Sequence, residues 1–299
     1  MEKPRSRGFT LVELLVVLGI SALVFGLLLP AIQSARKSQN RLVCINNLRQ
    51  IGLGLHQSHD TYSCFPKGYV PPSRKGTWNH SNWRVSILPF IDQENAFARV
   101  GQSYWSSPSP FFENHSLRYE VFRIFGCPED PRVFSDWDVF PRTGKIRVAL
   151  SSYLGVNGTD VRKRDGALYF NSAIRLSNFL DGTSHTVLVG ERPPSPDMIY
   201  GWWYAGVGFD DLGTGDAHLG TRELNPWGKW FHRCGSGPFS FSSAKSSQDF
   251  CATFQFWSLH PAGANFSMAD GSTRFLNYSA GEVLAQMGTI AGGEVVHLD

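Results

Sequence analysis

The histidines are the first residues of this chain whose chemistry could define a function, and nine are present. His56 and His59 lie three residues apart beside Asp60, a spacing that places two imidazoles on one face of a helix, where they could bind a metal ion. Of the later histidines, His218, His232 and His260 are the other candidates. A metal-dependent hydrolase is one hypothesis, but phosphate-binding loops, a GxSxG elbow and an HExxH helix are missing. We therefore expect no enzyme and interpret the histidines as packing or surface residues.

A second group that could bind a metal is a short acidic segment. Asp210, Asp211 and Asp216 lie close together between glycines, and clustered oxygens on a flexible loop suit calcium. The segment lacks an EF-hand pattern, so solvated acids of a turn are the alternative interpretation. Apart from this calcium hypothesis, the sequence implies no cofactor.

The most regular pairing of chemical groups lies near the C-terminus, where nine residues separate His260 from Asp270-Gly271. An Asp-Gly pair between apolar stretches predicts a tight hairpin turn with positive φ at the glycine. We predict that Gly271 occupies this turn and that Phe266, Met268 and Phe275 lie near the core. His260 and Asp270 would then bracket the hairpin, one of them binding a backbone amide.

Five cysteines are separated by 20, 63, 107 and 17 residues. No CxxC motif occurs, so a zinc ribbon is not expected. If this part of the chain lies outside the cytoplasm, disulfides are allowed, and we predict Cys234–Cys251, which closes a Ser-rich loop. The sequence does not choose a pairing among Cys44, Cys64 and Cys127, of which at least one stays unpaired.

The N-terminus contains the element that must position the rest of the chain. Lys3, Arg5 and Arg7 precede an apolar stretch, Phe9–Pro30, whose one ionisable side chain is Glu13. As a helix, its first 21 residues would span about 31 Å, which matches a hydrocarbon core of about 30 Å. A buried core helix and a cleaved signal peptide are the rivals, but the small residue Gly8 precedes the apolar stretch, and a signal peptidase site would follow it.

The segment RGFTLVELLVVL resembles the leader of type IV pilins and type II secretion pseudopilins. The resemblance implies that a prepilin peptidase cleaves after Gly8 and methylates Phe9, and that Glu13 neutralises a terminal amine when subunits pack into a filament. It also implies self-association or assembly with other pilin-like subunits. Because basic residues favour the cytoplasmic side, we expect a single-pass protein of the inner membrane, with a cytoplasmic N-terminus and the remainder periplasmic or extracellular.

The fold class that we predict is α+β, with a mainly antiparallel, loop-rich head packed on one long helix. Residues 1–8 would be the cleaved leader, 9–30 the transmembrane helix, 31–59 its amphipathic continuation and 60–299 the head. The head is rich in Gly, Pro and aromatics, and the net charge of only +3 requires no nucleic-acid partner. A second hairpin is expected at Asp181-Gly182. Eight strands are predicted: Trp83–Phe90, Tyr119–Phe125, Ser152–Val156, Thr186–Gly190, Tyr200–Val207, Thr253–Leu259, Asn265–Met268 and Thr273–Leu276.

Several blocks of the head resemble a large bacterial family of prepilin-like proteins, marked by a histidine, nine residues and Asp-Gly. They include CINNLRQIGLGLHQSHDTYSCFPKG, CPEDP, SSYLGVNG, LDGTSHTVLVGERPP, YGWWYAG and FWSLHPAGANFSMADGSTRFL. The resemblance implies an envelope protein with one anchoring helix and no known reaction. A singly anchored binding module for sugar or protein is the alternative, if the aromatic residues of the head are exposed: Trp202, Trp203, Tyr204, Trp227, Trp230 and Trp257. Because aromatic side chains bury large areas, we expect these to form the core.

Overall fold

The computed structural model describes residues 10–73, 78–112, 114–140, 144–225 and 234–293. The leader 1–8 and the expected cleavage pair Gly8 and Phe9 lie outside the described residues, as do Trp227, Trp230 and His232. What we predict for them stays a prediction. By its internal contacts the chain divides into two compact units, residues 1–40 and residues 41–299.

Helix α1 (Leu11–Tyr62) has 52 residues and passes through Pro30 without ending. In the first unit nearly every side chain of the helix is exposed, because Leu, Val and Ile occupy all faces. In the second unit the helix becomes one-sided. Apart from Gly52 and Gly54, its buried residues recur every three or four positions, as expected of a helix face packed on a core: Cys44, Leu48, Ile51, Leu55 and Ser58.

The second unit is built on a five-stranded sheet. The sheet has the order β5-β3-β4-β8-β9, in which β3 and β5 are parallel and the other neighbours antiparallel. Its strands are β3 (Tyr153–Gly158), β4 (Val187–Glu191), β5 (His218–Gly220), β8 (Gly263–Met268) and β9 (Thr273–Asn277). Two small antiparallel two-stranded sheets complete the strands: β1 (Asp136–Val139) with β2 (Ile146–Ala149), and β6 (Arg222–Glu223) with β7 (Phe239–Ser240).

Short helices and turns connect these strands. The other α-helices are α2 (Trp83–Ile87), α3 (Glu94–Ser106) and α4 (Gly281–Met287). Turns of 3-10 helix occur at Leu88–Phe90, Ser116–Tyr119, Arg123–Phe125, Pro131–Phe134, Leu176–Asn178, Thr183–His185, Phe250–Phe254 and Tyr278–Ala280. The α+β class and the loop-rich, mainly antiparallel head are confirmed.

Core residues divide between the two faces of the sheet, because successive strand residues point to opposite sides. In β3, Tyr153 packs in the same cluster as Leu48 and Ile51 of α1, whereas Leu154 packs in the cluster that contains Leu284 of α4. The second half of α1 therefore covers one face of the sheet.

Four of the predicted strands are wrong. Trp83–Phe90 forms α2 and a 3-10 turn, because the side chain of Asn82 caps the helix by accepting from the Arg84 amide. Tyr119–Phe125 contains 3-10 turns, Thr253–Leu259 is a 3-10 end and coil, and Tyr200–Val207 makes only isolated bridges. Short apolar segments can be buried equally well in irregular backbone, provided that side chains and neighbouring carbonyls accept hydrogen bonds from their backbone amides.

The hairpin predicted at Asp181-Gly182 is also wrong. Gly182 does have a positive φ of 92°, but it leads into the 3-10 turn Thr183–His185. The Asp181 carboxylate instead accepts from the amides of Gly292 and Gly293, at 2.7 and 2.8 Å. A local Asp-Gly signal here fixes a long-range contact with the C-terminal segment.

Candidate functional site

The N-terminal end of α1 is closed by a capping box. The Glu13 carboxylate accepts from the amide and the hydroxyl of Thr10, both at 2.8 Å, and the Glu13 amide donates to the Thr10 hydroxyl at 3.3 Å. Both residues are exposed. The carboxylate is thus held beside the positive end of the helix dipole, at the beginning of the apolar surface.

The surface that follows Glu13 is apolar on every side of the helix. Leu11, Leu18 and Leu27 are 78%, 60% and 70% exposed. Among the described residues, α1 is the helix long and apolar enough to cross a membrane. Since an apolar cylinder of this size is not stable in water, lipid or the helices of neighbouring subunits must cover it.

The C-terminal motif forms the turn between β8 and β9. Gly271 has a φ of +82°, and the Asp270 carboxylate accepts from the Ser272 amide at 2.8 Å. Phe266 and Met268 are buried, whereas Phe275 is half-buried. The hairpin predicted here is confirmed, with Asp270 as the residue that binds a backbone amide.

His260, at the other end of β8, lies in a different environment. Its Nε2 atom is 3.3 Å from Oε1 of Glu191 and 3.4 Å from Sγ of Cys127. Cys44 completes this group, and one ligand atom from each of the four residues lies within 4.8 Å of the others. All four residues are buried, so His260 and Asp270 bracket β8 without sharing a site.

Two disulfides are present. Cys234 is bonded to Cys251, as predicted, and Cys44 to Cys127, a pairing that the sequence left open. Cys64 is free and half-buried. The Cys44–Cys127 bond joins the second half of α1 to the loop after the 3-10 turn Arg123–Phe125.

The acidic segment uses its carboxylates to hold its own loop. Asp210 accepts from the amides of Leu212 and Thr214, and Asp216 accepts from the amides of Gly201 and Gly208. Burial raises the pKa of both carboxyls, which disfavours the charged form. In the described part of the chain, the ligand atoms that converge belong to the His260 group and not to Asp210, Asp211 and Asp216.

Three other described histidines, His56, His59 and His218, take part in packing and hydrogen bonding. His59 accepts from the Leu176 amide at 3.2 Å, and His56 packs edge-on against Phe65. His218 contacts the Leu212 carbonyl through Nε2 at 3.1 Å, and burial lowers its pKa to about 3. His218 is therefore buried in its neutral form.

Four of the six aromatic residues considered for a binding surface lie in the described part of the chain, and these four belong to the core. Trp202, Trp203, Tyr204 and Trp257 are all buried. Trp203 stacks on Phe125 with ring centroids 5.8 Å apart. These four residues therefore provide no exposed surface for a sugar or protein ligand.

Sequence reasoning missed Glu191 and the convergence of Cys44 and Cys127 on His260. One signal was available for Glu191, because it ends the uncharged apolar run of β4, where an acid requires a partner. The partners are 69 residues downstream and 64 and 147 residues upstream, so no spacing rule connects them.

Comparison with known families adds two matches. Residues 33–282 match the family described as "Protein of unknown function (DUF1559)". Residues 3–29 match the prokaryotic N-terminal methylation motif. No curated protein and no solved structure matches the chain.

Proposed function

We propose a function for this chain that starts from its family. The chain belongs to the DUF1559 family of proteins of unknown function and carries the prokaryotic N-terminal methylation motif, so it is a type IV pilin-like prepilin. We propose that it is cleaved after Gly8, methylated at Phe9, and works as a structural or accessory subunit of a type IV pilus or type II secretion-like assembly. The enzyme required is a prepilin peptidase with methyltransferase activity.

The observation that carries this proposal is the placement of Glu13 on an apolar helix. Glu13 is the single ionisable residue between Phe9 and Pro30, and in the separate chain Thr10 satisfies its carboxylate. Once Gly8 is removed, the new amine of Phe9 provides a cation to the same apolar layer. Because an unpaired carboxylate is costly there, pairing Glu13 with the amine of a neighbouring subunit favours side-by-side packing of helices.

The membrane arrangement follows from the same helix. The apolar part of α1 anchors the chain in the inner membrane, Lys3, Arg5 and Arg7 stay cytoplasmic, and the head lies on the outer side. The Cys234–Cys251 disulfide agrees with a head in an oxidising compartment.

We propose that the head has a structural and not a catalytic role, and that assembly requires no cofactor. The His260 group is buried on every side, so no substrate reaches it in this conformation. We do not propose the aromatic binding module, because Trp202 and Trp203 are 6% and 1% exposed.

N-terminal mass spectrometry of the membrane-extracted protein tests the processing. We expect a mature chain that begins with N-methylated Phe9, and an uncut precursor in Gly8→Val. Gly19→Val is the matched control, because Gly19 also lies in the N-terminal segment, with no atom within 4 Å of an added Cβ, and should be cut normally. A mature chain beginning at Ala31 or later would indicate a signal peptide and overturn the proposal.

Cross-linking in intact cells tests assembly. Glu13→Ala should insert in the membrane at least as well as the wild type, because a charge is removed from the apolar layer. The variant should nevertheless give no ladder of cross-linked subunits, and electron microscopy should show no filaments. Ladders of equal intensity in the wild type and the variant would rule out the role of Glu13.

A further inference from the structure

The four residues around His260 come from four separate parts of the second unit. Cys44 is on α1, Cys127 is in the loop that follows the 3-10 turn Arg123–Phe125, Glu191 ends β4, and His260 precedes β8. Two sulfurs, an imidazole nitrogen and a carboxylate oxygen lie within 4.8 Å of one another. Cysteine, histidine and carboxylate in this number form the donor set of a tetrahedral zinc site.

The two distances centred on His260 Nε2 agree with that geometry. Zinc–ligand bonds of about 2.0–2.3 Å at tetrahedral angles place ligand atoms about 3.3–3.8 Å apart. The nitrogen is 3.3 Å from the Glu191 oxygen and 3.4 Å from the Cys127 sulfur. Two edges of the tetrahedron are therefore near the required length without any movement of the chain.

Hydrogen bonds hold the Glu191 carboxylate directly and fix the backbone of Cys127 and His260. The Glu191 carboxylate accepts from the Asn265 amide at 2.7 Å and from its side-chain nitrogen at 3.0 Å. The Ser152 hydroxyl accepts from the Cys127 amide at 3.1 Å, and the Ser258 hydroxyl accepts from the His260 amide at 3.0 Å. Hydrogen bonds to a carboxylate that binds a metal fix its orientation in protein metal sites.

The other ring nitrogen of His260 makes no competing polar contact in the described part of the chain. This atom, Nδ1, is buried. His260 is 3% exposed. The polar contacts of its ring are therefore made by Nε2, which lies beside the Cys127 sulfur and the Glu191 carboxylate. That nitrogen is available as a donor when the proton is on Nδ1.

We propose that Cys44, Cys127, Glu191 and His260 form a redox-controlled binding site for a soft divalent metal ion of the zinc class. In the oxidised protein the two sulfurs are joined as a disulfide. Because the bond is buried, a dithiol reductant reaches it when the head unfolds: the two sulfhydryls of the reductant become a disulfide, and two electrons and two protons pass to Cys44 and Cys127. The metal then displaces both thiol protons to water and is bound by two thiolates, the carboxylate and Nε2.

The charges favour a metal in the reduced state. Two thiolates and a carboxylate at a fully buried position are unfavourable without a cation, and a divalent ion leaves a net charge of −1 on the site. The metal would link α1 to the Cys127 loop in place of the disulfide. The inference is independent of pilus assembly, since none of the four residues takes part in processing or helix packing in the membrane.

Cobalt binding by the full chain in detergent micelles tests the proposal. The protein carries Cys64→Ser, which removes the free thiol. It is unfolded in denaturant together with a phosphine reductant, and it is then refolded without oxygen in the presence of Co²⁺. We expect one Co²⁺ per chain, a thiolate-to-cobalt band in the near ultraviolet and the visible bands of tetrahedral Co²⁺. The oxidised protein should show none of these bands.

Variants distinguish this site from other donors. Cys127→Ser should lower the intensity of the thiolate band by about half, and His260→Ala should weaken Co²⁺ affinity at least about tenfold. Cys234→Ser/Cys251→Ser, which removes the other pair of cysteines, and His56→Ala are the matched controls and should bind as the parent does.

Three results would overturn the proposal. The first is a reduced chain that regains its native near-ultraviolet circular dichroism but binds no Co²⁺. The second is a reduced chain that stays unfolded with Co²⁺ present, because the metal should replace the disulfide as a link. The third is binding that Cys127→Ser and His260→Ala leave unchanged.

Discussion

The guanidinium carbon of Arg41 lies 3.6 Å from the centroid of the Phe275 ring. The contact joins α1, at the beginning of the second unit, to the last strand of the sheet. A half-buried guanidinium over an aromatic face contributes about 0.5–2 kcal/mol. The contact couples the middle of α1 energetically to the C-terminal hairpin.

We expect Arg41→Gln and Phe275→Leu to be non-additive in the free energy of unfolding, with a coupling of about 0.5–2 kcal/mol. The measurement is urea unfolding of the full chain in detergent, followed by tryptophan fluorescence. Arg36→Gln is the control, because Arg36 is exposed on the same helix. Strict additivity of the two variants would show that the contact contributes nothing.

Gly271 should tolerate few side chains. Its φ of +82° is a conformation that β-branched residues resist, so Gly271→Val should lower the free energy of unfolding by about 1–3 kcal/mol. Gly271→Asn should cost less, because asparagine accepts positive φ more readily. Gly101→Ala in α3, where an added Cβ meets no atom within 4 Å, should be neutral or stabilising. Equal losses for Val and Asn would contradict the backbone explanation.

Glu223 should make the stability of the head depend on pH. Its carboxylate accepts from the amides of Val161, Gly220 and Leu224, but burial dominates and raises its pKa to about 7. Above pH 4.5, the ordinary pKa of a glutamate, the folded protein therefore keeps a proton on Glu223 that the unfolded chain has released. This contribution to stability is complete below about pH 4.5 and is lost as the pH rises to about 7.

Thermal unfolding of the wild type and Glu223→Gln between pH 4.5 and 8 measures this contribution. Relative to the variant, the wild type should lose stability as the pH rises through that range. His218 acts in the opposite direction, since its lowered pKa costs stability as the pH falls below about 6.5, but it is common to both proteins. Parallel pH profiles would show that Glu223 does not titrate in this range.

The Cys234–Cys251 disulfide should stabilise the chain through its short loop. The residues are 17 apart, and the chain-entropy relation gives about 3 kcal/mol for a loop of this size. Cys234→Ser/Cys251→Ser should lose about that amount, whereas Cys64→Ser, at the free cysteine, should change the stability little. Non-reducing peptide mapping of the wild type should recover the linked pair, and finding both as free thiols would contradict the structure.

Three features of this protein follow from the sequence alone, because each depends on residues close together in the chain. The apolar segment after Gly8 predicts a long helix from composition and length. Asp270-Gly271 predicts a turn, since the need for positive φ is a property of one residue. The pairing of Cys234 with Cys251 follows from a short loop, whose closure costs little entropy.

Only the tertiary structure decided the features that depend on distant residues. Trp83–Phe90 has the composition of a strand, but the Asn82 cap and burial against α1 and the sheet make it helical. Cys44 pairs with Cys127 across 83 residues, which no local pattern specifies. Glu191 and His260 meet because β4 and β8 are neighbours in the sheet. Strand order is set by how apolar faces pack together, and that free energy is shared by the whole core and is not encoded in any single segment.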